Sequence, residues 1–422
     1  MIQWQKVFGR MDGEYGCRII QTKDGGYIVA ATCDSICGGD VKNYGGEDYW
    51  IIKFDVSGNI QWQKSYGGSN DDIATSIQQT KDGGYIIAGE SNSDFWTASG
   101  AKISHGGFDY WIVKIDSVGS VQWQKPYGGG GGGVEIPVSI KPTSDCGYII
   151  AGGSQSNNGD VTGHHGSDST TDYWIVKTDS AGNIQWQKSY GGSRDDFAMD
   201  VEQTRNGNYI AAGLSCSSDG DVGGHHGSTS SSDYWIVEFD SLGTIKWQNS
   251  YGGSSDEIPS SVIQDSDGGF IIAGNSYSSD GDVTGHHGPD SLSDCWVVKI
   301  DSVGTIKWQK SYGGSGEDYI HSITQSEDGG YTIAGGSNST DADITGTHGG
   351  YDYWIMKIDE IGRLQWQKFL GGKRDDKAYS IQQTVDGGYI VAGITQSQDG
   401  DVVNYTSGTK YWIVKLKNSP DK

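Results

Sequence analysis

The sequence predicts an all-β fold built from seven similar units, and three observations support this prediction. First, a Trp-Gln pair recurs about every 60 residues and a second tryptophan keeps the same spacing, which is typical of a repeat architecture. Second, glycine-rich turn sequences separate short apolar runs in every unit. Third, no segment keeps apolar residues at helical spacing for long enough to form a helix. The two series are Trp4, Trp62, Trp123, Trp186, Trp247, Trp308 and Trp366, and Trp50, Trp111, Trp174, Trp235, Trp296, Trp354 and Trp412.

Each unit predicts four short strands, as the second unit illustrates. Ala74–Thr80 and Tyr85–Gly89 flank the sequence Lys-Asp-Gly-Gly at 81–84, a hairpin turn in which glycine adopts positive φ without steric cost. Tyr110–Asp116 is apolar on both alternating faces, so we expect this strand to be buried on both sides. Val121–Lys125 alternates apolar and polar residues, as expected of a half-exposed outer strand.

Four antiparallel strands repeated seven times match the blades of a β-propeller. We predict a single domain over residues 1–422, with a short tail at 418–422. The chain begins with an outer-strand sequence at residues 2–8, whereas the last unit ends at Trp412–Leu416, before its own outer strand. The first strand is therefore predicted to complete the last blade and to close the ring.

Composition excludes several function classes. The formal net charge is −24, with 54 acidic and 30 basic residues, which argues against binding to nucleic acid or to an anionic membrane surface. No apolar run approaches the length of a membrane span, so no membrane insertion is expected. No signal-peptide pattern precedes the first predicted strand, so the chain is either a domain cut from a secreted precursor or a cytosolic protein, and we expect it to be monomeric.

An acidic residue follows each Trp-Gln pair at the predicted start of the next inner strand. In a propeller these carboxylates are expected to ring one mouth of the central channel. They either accept backbone N–H bonds within their own glycine-rich turns or form a cation site on the axis, for which oxygen ligands favour Ca²⁺ or Mg²⁺. The seven residues are Glu14, Asp72, Glu135, Asp196, Glu257, Asp318 and Asp376.

The long loops of units three to seven carry an aspartate-rich motif, in most units Asp-Gly-Asp, and those of units three to five add a His-His pair. The pattern resembles the opening of a calcium loop but lacks its closing glutamate, so local Ca²⁺ binding competes with ordinary Asx-turn hydrogen bonding. A single histidine pair per loop lacks the further ligands of a closed zinc site. The metal candidates are Asp160, Asp219, Asp221, Asp280, Asp282, Asp341, Asp343, Asp399 and Asp401.

Four further residues are candidate ligand contacts. Phe95 and Trp96 lie in the irregular loop of the second unit, and Tyr44 lies in that of the first. A loop aromatic with no core role can stack on a sugar ring or on a partner side chain, although Trp96 can equally fold back onto its own blade. His321 lies on a predicted inner strand and faces either the channel or the blade interior.

Six cysteines occupy different places in different units. Only Cys33 and Cys37 are close enough in sequence to suggest a disulfide or a metal pair; the alternative is six scattered free thiols.

The motifs Trp-Gln-Lys-Ser-Tyr-Gly-Gly-Ser and Gln-Thr-x-Asp-Gly-Gly-Tyr-Ile-Ile-Ala-Gly resemble a tandem-repeat β-propeller family of secreted and surface proteins in bacteria and archaea. The resemblance covers nearly the whole chain. It implies a propeller in an extracellular or cell-surface setting. The family has no agreed activity, so the resemblance assigns no functional residue.

Three functions follow as hypotheses. The first is a non-catalytic extracellular binding module that recognises a glycan or a protein partner through the face with the long loops, where sequence variation concentrates. The second is a polysaccharide lyase or hydrolase that uses the channel-mouth carboxylates together with His321. The third is a purely structural scaffold of a surface protein. Known catalytic motifs such as Gly-x-Ser-x-Gly and His-Glu-x-x-His are missing from the sequence.

Overall fold

The computed structural model describes residues 1–11, 17–34, 41–95, 104–167, 169–228, 230–405 and 407–418. These residues form 28 strands in seven four-stranded sheets, and every pairing within a sheet is antiparallel. The predicted fold, a ring of seven blades, is confirmed. Within the described residues the structure contains no helix that could cross a membrane.

The strands follow one another in the order that the repeats predict. Strand β1 is Ile2–Met11. Blade 1 contains β2 (Arg18–Gln21), β3 (Tyr27–Cys33), β4 (Asp48–Phe54) and β5 (Ile60–Tyr66). Blade 2 contains β6 (Asp72–Gln79), β7 (Tyr85–Ser91), β8 (Asp109–Ile115) and β9 (Val121–Tyr127). Blade 3 contains β10 (Glu135–Pro142), β11 (Tyr148–Ser154), β12 (Asp172–Thr178) and β13 (Ile184–Tyr190). Blade 4 contains β14 (Asp196–Gln203), β15 (Tyr209–Ser215), β16 (Asp233–Phe239) and β17 (Ile245–Tyr251).

The remaining blades repeat this order. Blade 5 contains β18 (Glu257–Gln264), β19 (Phe270–Ser276), β20 (Asp294–Ile300) and β21 (Ile306–Tyr312). Blade 6 contains β22 (Asp318–Gln325), β23 (Tyr331–Ser337), β24 (Asp352–Ile358) and β25 (Leu364–Leu370). Blade 7 contains β26 (Asp376–Gln383), β27 (Tyr389–Thr395) and β28 (Thr409–Leu416), and its fourth strand is β1.

The ring closes as predicted, because β1 pairs antiparallel with β28. The ladder runs from the Ile2–Leu416 pair to the Phe8–Tyr411 pair and beyond. The indole Nε1 of Trp412 donates to Gln5 Oε1 at 2.8 Å, which ties the two ends of the chain through side chains as well.

The core consists of aromatic and aliphatic side chains packed between neighbouring blades. The third strand of each blade is buried on both faces, as its apolar run predicts. At the junction of blades 3 and 4, the ring centroids of Tyr173 and Trp235 lie 4.6 Å apart, and the Tyr173 hydroxyl donates to the Trp235 carbonyl at 2.8 Å. Equivalent pairs recur around the ring, so each blade is fixed to the next by apolar burial and by a satisfied buried hydroxyl.

The connections divide the molecule into two faces. The hairpin turns, such as residues 80–84 and 116–120, lie on one face, which we call the short-turn face. The long loops, such as residues 155–167 and 277–293, lie on the opposite face together with the glycine-rich turns that join consecutive blades. We call this second face the long-loop face. Its longer connections make it the natural location for binding residues.

The Tyr190 hydroxyl provides a test of this packing. It donates to the carbonyl of Gly243, in the next blade's turn, at 2.6 Å, and Tyr190 is buried. We expect Tyr190→Phe to lower the free energy of unfolding by about 1–2 kcal/mol, because the carbonyl loses a buried donor. Denaturant unfolding measures this. Tyr44→Phe removes an exposed hydroxyl and is expected to change stability by less than about 0.5 kcal/mol.

Candidate functional site

The six described carboxylates of the acidic series are fully buried and do not ring an open channel mouth. Asp196 shows the arrangement: its Oδ2 accepts the backbone N–H of Gly192 at 2.7 Å and the Ser217 hydroxyl at 2.8 Å. Of the two roles predicted for these carboxylates, the structure shows the first, acceptance of backbone N–H bonds within the glycine-rich turn, whereas the cation site on the axis stays a prediction. Glu14 lies outside the described residues. The other five are Asp72, Glu135, Glu257, Asp318 and Asp376.

Each of these carboxylates lies close to a second buried carboxylate, the first residue of the preceding blade's third strand. A Cβ placed on Gly191 would meet Asp196 Oδ2 at 2.6 Å and Asp172 Oδ1 at 2.9 Å, so the two oxygens enclose a position that only glycine leaves free. Burial, and secondarily the negative charge of Asp172, raises the pKa of Asp196 to about 6. Burial likewise raises the pKa of Glu257 to about 7. We call these two-carboxylate contacts the junction pairs.

Aspartates predicted to bind metal instead brace the loops. The first aspartate of each loop accepts a backbone N–H from a Gly-Gly turn; Asp219 Oδ1, for example, accepts that of Ser193 at 2.7 Å. Asp280, Asp341 and Asp399 make the same contact. The described residues contain no group of three or more His, Cys, Asp or Glu side chains arranged to hold a metal ion. Calcium binding therefore stays a prediction, without a ligand cage to support it.

In blades 4 to 6 the second aspartate of the long loop faces a histidine of the preceding blade. His165 Nδ1 lies 2.8 Å from Asp172 Oδ2 in its own blade, and its Nε2 lies 3.7 Å from Asp221 Oδ2 in the next blade. His226 and His287 repeat this bridge toward Asp282 and Asp343. The sequence motif did not predict this bridge, nor that it runs from a histidine of one blade to an aspartate of the next. These contacts link the long loops of neighbouring blades to one another.

His105 adds a bridge that the sequence analysis missed. Its Nδ1 lies 3.6 Å from Asp109 Oδ2, and its Nε2 lies 3.8 Å from Asp160 Oδ2 in the next blade. The nearby Asp109 carboxylate is the main cause of the raised pKa of His105. The signal was present in the sequence, because His105 stands four residues before the aspartate that opens β8, as His348 stands before Asp352 in β24.

Two of the predicted loop aromatics differ in exposure. Phe95 is buried and stacks on Trp111 with ring centroids 4.8 Å apart, so its assignment as a ligand contact is wrong: it belongs to the core of the blade junction. Tyr44 is 47 % exposed, and Lys42 Nζ lies 4.2 Å from its ring centroid. Trp96 lies outside the described residues.

A cavity of 230 Å³ lies among the inner strands, and we call it the axial cavity. The position four residues after each member of the acidic series is serine in five blades, but it is Arg18 in blade 1 and Asp200 in blade 4. Asp200 accepts the hydroxyls of Ser139 at 2.7 Å and Ser261 at 3.0 Å, whereas Arg18 Nη1 donates to the Tyr379 carbonyl at 2.5 Å. The axial cavity therefore departs from sevenfold symmetry in charge.

His321 lines the axial cavity, and among the described residues it has no carboxylate partner for catalysis. Its ring lies between those of Tyr319 and Tyr379, at centroid distances of 5.1 and 4.7 Å. Burial, followed by the charges of Arg18 and Lys377, lowers the pKa of His321 to about 3, so the ring is neutral at pH 7. The Asp318 carboxylate points instead to its Gly-Gly turn, where it accepts the Gly314 N–H.

Cys33 is disulfide-bonded, and Cys37, its predicted partner, lies outside the described residues. Cys17, Cys146, Cys216 and Cys295 are free thiols. Burial raises the pKa of the Cys17 thiol to about 12, so this cysteine is an unreactive core residue.

Comparison with known proteins shows the fold and no more. No family model matches the chain, and no curated protein matches it, so the resemblance to surface-protein repeats stays a prediction. The WD40 domain of Neurospora crassa Pan2 has a TM-score of 0.52 at 9 % identity, covering 99 % of this chain and 96 % of that one. BBS1N, solved in complex with ARL6DN, has a TM-score of 0.52 at 6 % identity, covering 99 % and 97 %.

The β-propeller domain of the Trilobed protease from Pyrococcus furiosus has a TM-score of 0.44 at 11 % identity and covers 97 % of this chain and 98 % of its own. The chain is a seven-bladed β-propeller with four antiparallel strands in each blade.

Proposed function

We propose that this protein is a non-catalytic, extracellular binding module that engages a glycan or a protein partner through its long-loop face. The observation that supports the proposal is the bracing of the long loops. In blades 4 to 7 an aspartate ties the long loop to a Gly-Gly turn, as Asp219 is tied to Ser193. In blades 3 to 5 a histidine links the long loop to that of the next blade, as His165 is linked to Asp221. Loops held in this way lose little entropy on binding, which favours recognition by a preformed surface.

The side chains offered by this face suit recognition. Tyr44 is an exposed aromatic with a lysine ammonium above its ring, and the bridging histidines are about one-third exposed. Tyrosine supplies a large contact area with few rotatable bonds, and it can stack on a sugar ring or pack on a protein side chain. An extracellular location fits the disulfide at Cys33, since such bonds persist in oxidising compartments.

The carboxylates that the enzyme hypothesis requires are buried. Glycoside hydrolysis requires two carboxyl groups that flank the scissile bond, but the junction pairs are fully buried, so no polysaccharide reaches them. His321 is neutral at pH 7 and lies between two tyrosine rings, and no described residue places a carboxylate beside it. The scaffold hypothesis predicts no ligand at all, and the binding experiment tests it.

We expect the purified protein to bind one class of immobilised glycans or surface proteins in an array, assayed in parallel with calcium and with a chelator. The double substitution of Lys42 and Tyr44 by serine is expected to weaken capture at least tenfold, because it removes the exposed aromatic and its cation. Loss of capture in the chelator would add Ca²⁺ as a cofactor.

The matched control is Val385→Ser, which alters an exposed residue on the short-turn face. It is expected to leave capture unchanged. Equal losses in both variants, or full capture by the Lys42 and Tyr44 variant, would contradict binding through the long-loop face. If the protein binds nothing on the array, the result would favour the scaffold role.

A further inference from the structure

The axial cavity is enclosed by described residues from all seven blades. Each blade contributes later residues of its inner strand, such as residues 18–20 in blade 1, 76–78 in blade 2 and 321–324 in blade 6. These residues lead into the hairpin turns of the short-turn face. The axial cavity therefore lies toward the short-turn face, away from the long loops of the proposed interaction.

Arg18 brings a positive charge to the wall of the axial cavity, and no described residue places a carboxylate within ion-pair distance of it. A guanidinium has five N–H donors. The hydrogen bond from Nη1 to the Tyr379 carbonyl, at 2.5 Å, engages one of them. Burial lowers the pKa of Arg18 in spite of the opposing charge of Asp200, because the guanidinium is withdrawn from water. A cation held in this way favours an anion as its partner.

Asp200 does not neutralise Arg18, because its carboxylate is engaged within blades 3 to 5. Its Oδ1 accepts the Ser139 hydroxyl and lies 3.4 Å from Lys141 Nζ. Its Oδ2 accepts the Ser261 hydroxyl. Among the described lining residues, two cations, Arg18 and Lys141, thus stand against one carboxylate. This local excess of positive charge, in a chain with a net charge of −24, attracts an anionic ligand.

Neutral side chains of the axial cavity have hydrogen-bonding capacity that the described residues do not use. Ser76 Oγ and Ser322 Oγ each accept a backbone N–H of the next blade, at 3.3 and 3.2 Å, but no described residue accepts their hydroxyl hydrogens. The Gln78 amide and the Thr324 hydroxyl have no hydrogen-bond partner in the described part of the chain. Such groups suit the hydroxyls of a ligand, because a hydroxyl both donates and accepts.

We propose that the axial cavity binds a small hydroxycarboxylate, that is, a carboxylic acid anion that also carries hydroxyl groups. The Arg18 guanidinium holds the carboxylate through charge-assisted N–H···O⁻ hydrogen bonds, to which its planar fork is suited. Ser76 and Gln78 in the adjacent blade, together with Ser322 and Thr324 in blade 6, bind the ligand's hydroxyls. The volume of 230 Å³ is below the about 300–1,000 Å³ of sites for drug-sized ligands, so the ligand is small.

Arg18→Ser is the central variant, because serine is the natural residue at the equivalent position of five other blades. The variant removes the charge and places in blade 1 a side chain that the repeat already accommodates, so we expect the ring to fold. The matched control is Arg363→Ser. It makes the same substitution at an exposed arginine in the turn between β24 and β25, which also lies on the short-turn face but outside the axial cavity.

The test is calorimetric titration of the full chain with lactate, glycerate and glucuronate, with glycerol and glucose as neutral counterparts, and with inorganic phosphate. We expect saturable binding of at least one hydroxycarboxylate at one site per chain, at least tenfold tighter than that of phosphate or of either neutral compound. Arg18→Ser is expected to weaken this binding at least tenfold, whereas Arg363→Ser is expected to leave it unchanged within twofold.

Two further variants test the charge and the hydroxyl contacts separately. Asp200→Ser restores the serine of the repeat and removes the one carboxylate of the wall, so it is expected to tighten binding at least threefold. Gln78→Leu retains Arg18 and is expected to weaken binding at least threefold, which keeps the site testable if Arg18→Ser does not fold. The Lys42 and Tyr44 double variant is expected to retain full binding, which separates this site from the long-loop interaction.

Absence of saturable binding to all three acids would overturn the proposal. Phosphate or a neutral compound that binds as tightly as the best acid would refute selection for a hydroxycarboxylate. An equal loss in Arg18→Ser and Arg363→Ser, or full binding by Arg18→Ser, would show that the acid binds outside the axial cavity.

Discussion

Removal of residues 1–11 is expected to destroy cooperative folding or to lower the melting temperature by more than about 10 °C. The deletion takes away β1, the fourth strand of blade 7, and leaves the β28 edge without its hydrogen-bonded partner. Trp412 Nε1 loses Gln5 Oε1 as its acceptor, and the Asp401 carbonyl loses the Gln5 amide as its donor. An open edge of this kind also pairs with other chains, so aggregation is expected.

Calorimetry and size-exclusion chromatography of the truncated chain measure this effect. A permuted chain is the matched control: β1 is moved to follow Leu416 through a short glycine linker, which preserves every strand of blade 7. We expect its melting temperature to stay within about 5 °C of that of the natural order. A truncated chain that melts like the full chain would show that β1 adds little to ring closure.

Much of the fold could be predicted because the same pattern of strand and turn residues occurs in seven copies of the repeat. The buried third strand, the Asp-Gly-Gly hairpin and the misplaced outer strand at residues 2–8 each depend on short-range patterning, and all appear in the structure as expected. The side-chain contacts between blades could not be predicted, because they join residues far apart in sequence, such as Tyr173 and Trp235.

The candidate site was harder to predict because side-chain direction depends on neighbouring blades. An acid in every repeat predicts a shared role, but only the packed turn shows that Asp196 points into the junction rather than toward the channel. His165 and Asp221 are 56 residues apart in sequence and meet only when two blades pack. The sequence indicates only that Phe95 lies in a loop. Its stacking on Trp111 could not be predicted, because it depends on the path of the loop in three dimensions.

The protein is expected to become more stable as the pH falls from 8 to 5. Burial raises the pKa of Asp72, Asp196 and Asp376 to about 6, and that of Glu257 to about 7. For an acid whose pKa is raised by folding, the stabilising contribution is complete below its unfolded pKa and is lost as the pH rises through the folded value. Burial likewise raises the pKa of Asp294 to about 6 and that of Glu90 to about 7, so six such groups titrate between pH 5 and 8.

Other carboxylates act in the opposite direction, but at lower pH. Although burial acts to raise it, hydrogen bonds from Thr80 and Lys114 lower the pKa of Asp82 to about 2. Asp145 behaves in the same way through Lys177 and Thr143. Their stabilisation is lost only as the pH falls below about 4, through the folded pKa values.

Stability is therefore expected to reach its maximum near pH 5. Calorimetry at constant high ionic strength, which screens the net negative charge, should give a melting temperature at least about 5 °C higher at pH 5 than at pH 8. A lower melting temperature at pH 5 would contradict the raised pKa values of the junction pairs.

Glu257→Gln isolates one junction pair. At pH 8 the natural carboxylate is ionised and buried beside Asp233, whereas the amide is uncharged and retains an oxygen for the Gly253 N–H that now donates to Glu257 Oε2. Removing this charge is expected to raise stability at pH 8 by about 2 kcal/mol, since one pKa unit corresponds to about 1.4 kcal/mol. Near pH 5 the natural side chain is itself protonated, so the two proteins should be alike.

The variant should consequently show a flatter dependence of melting temperature on pH than the natural chain. Glu360→Gln changes an exposed glutamate and is expected to leave both the slope and the melting temperature unchanged. A Glu257→Gln protein that is less stable than the natural one at pH 8 would mean that the ionised carboxylate, with its hydrogen bonds from Gly253 and Ser276, stabilises the junction. The expected result would instead mean that the ionised carboxylates of the junction pairs repel each other and destabilise the folded ring at neutral pH. Protonation in acid removes this repulsion.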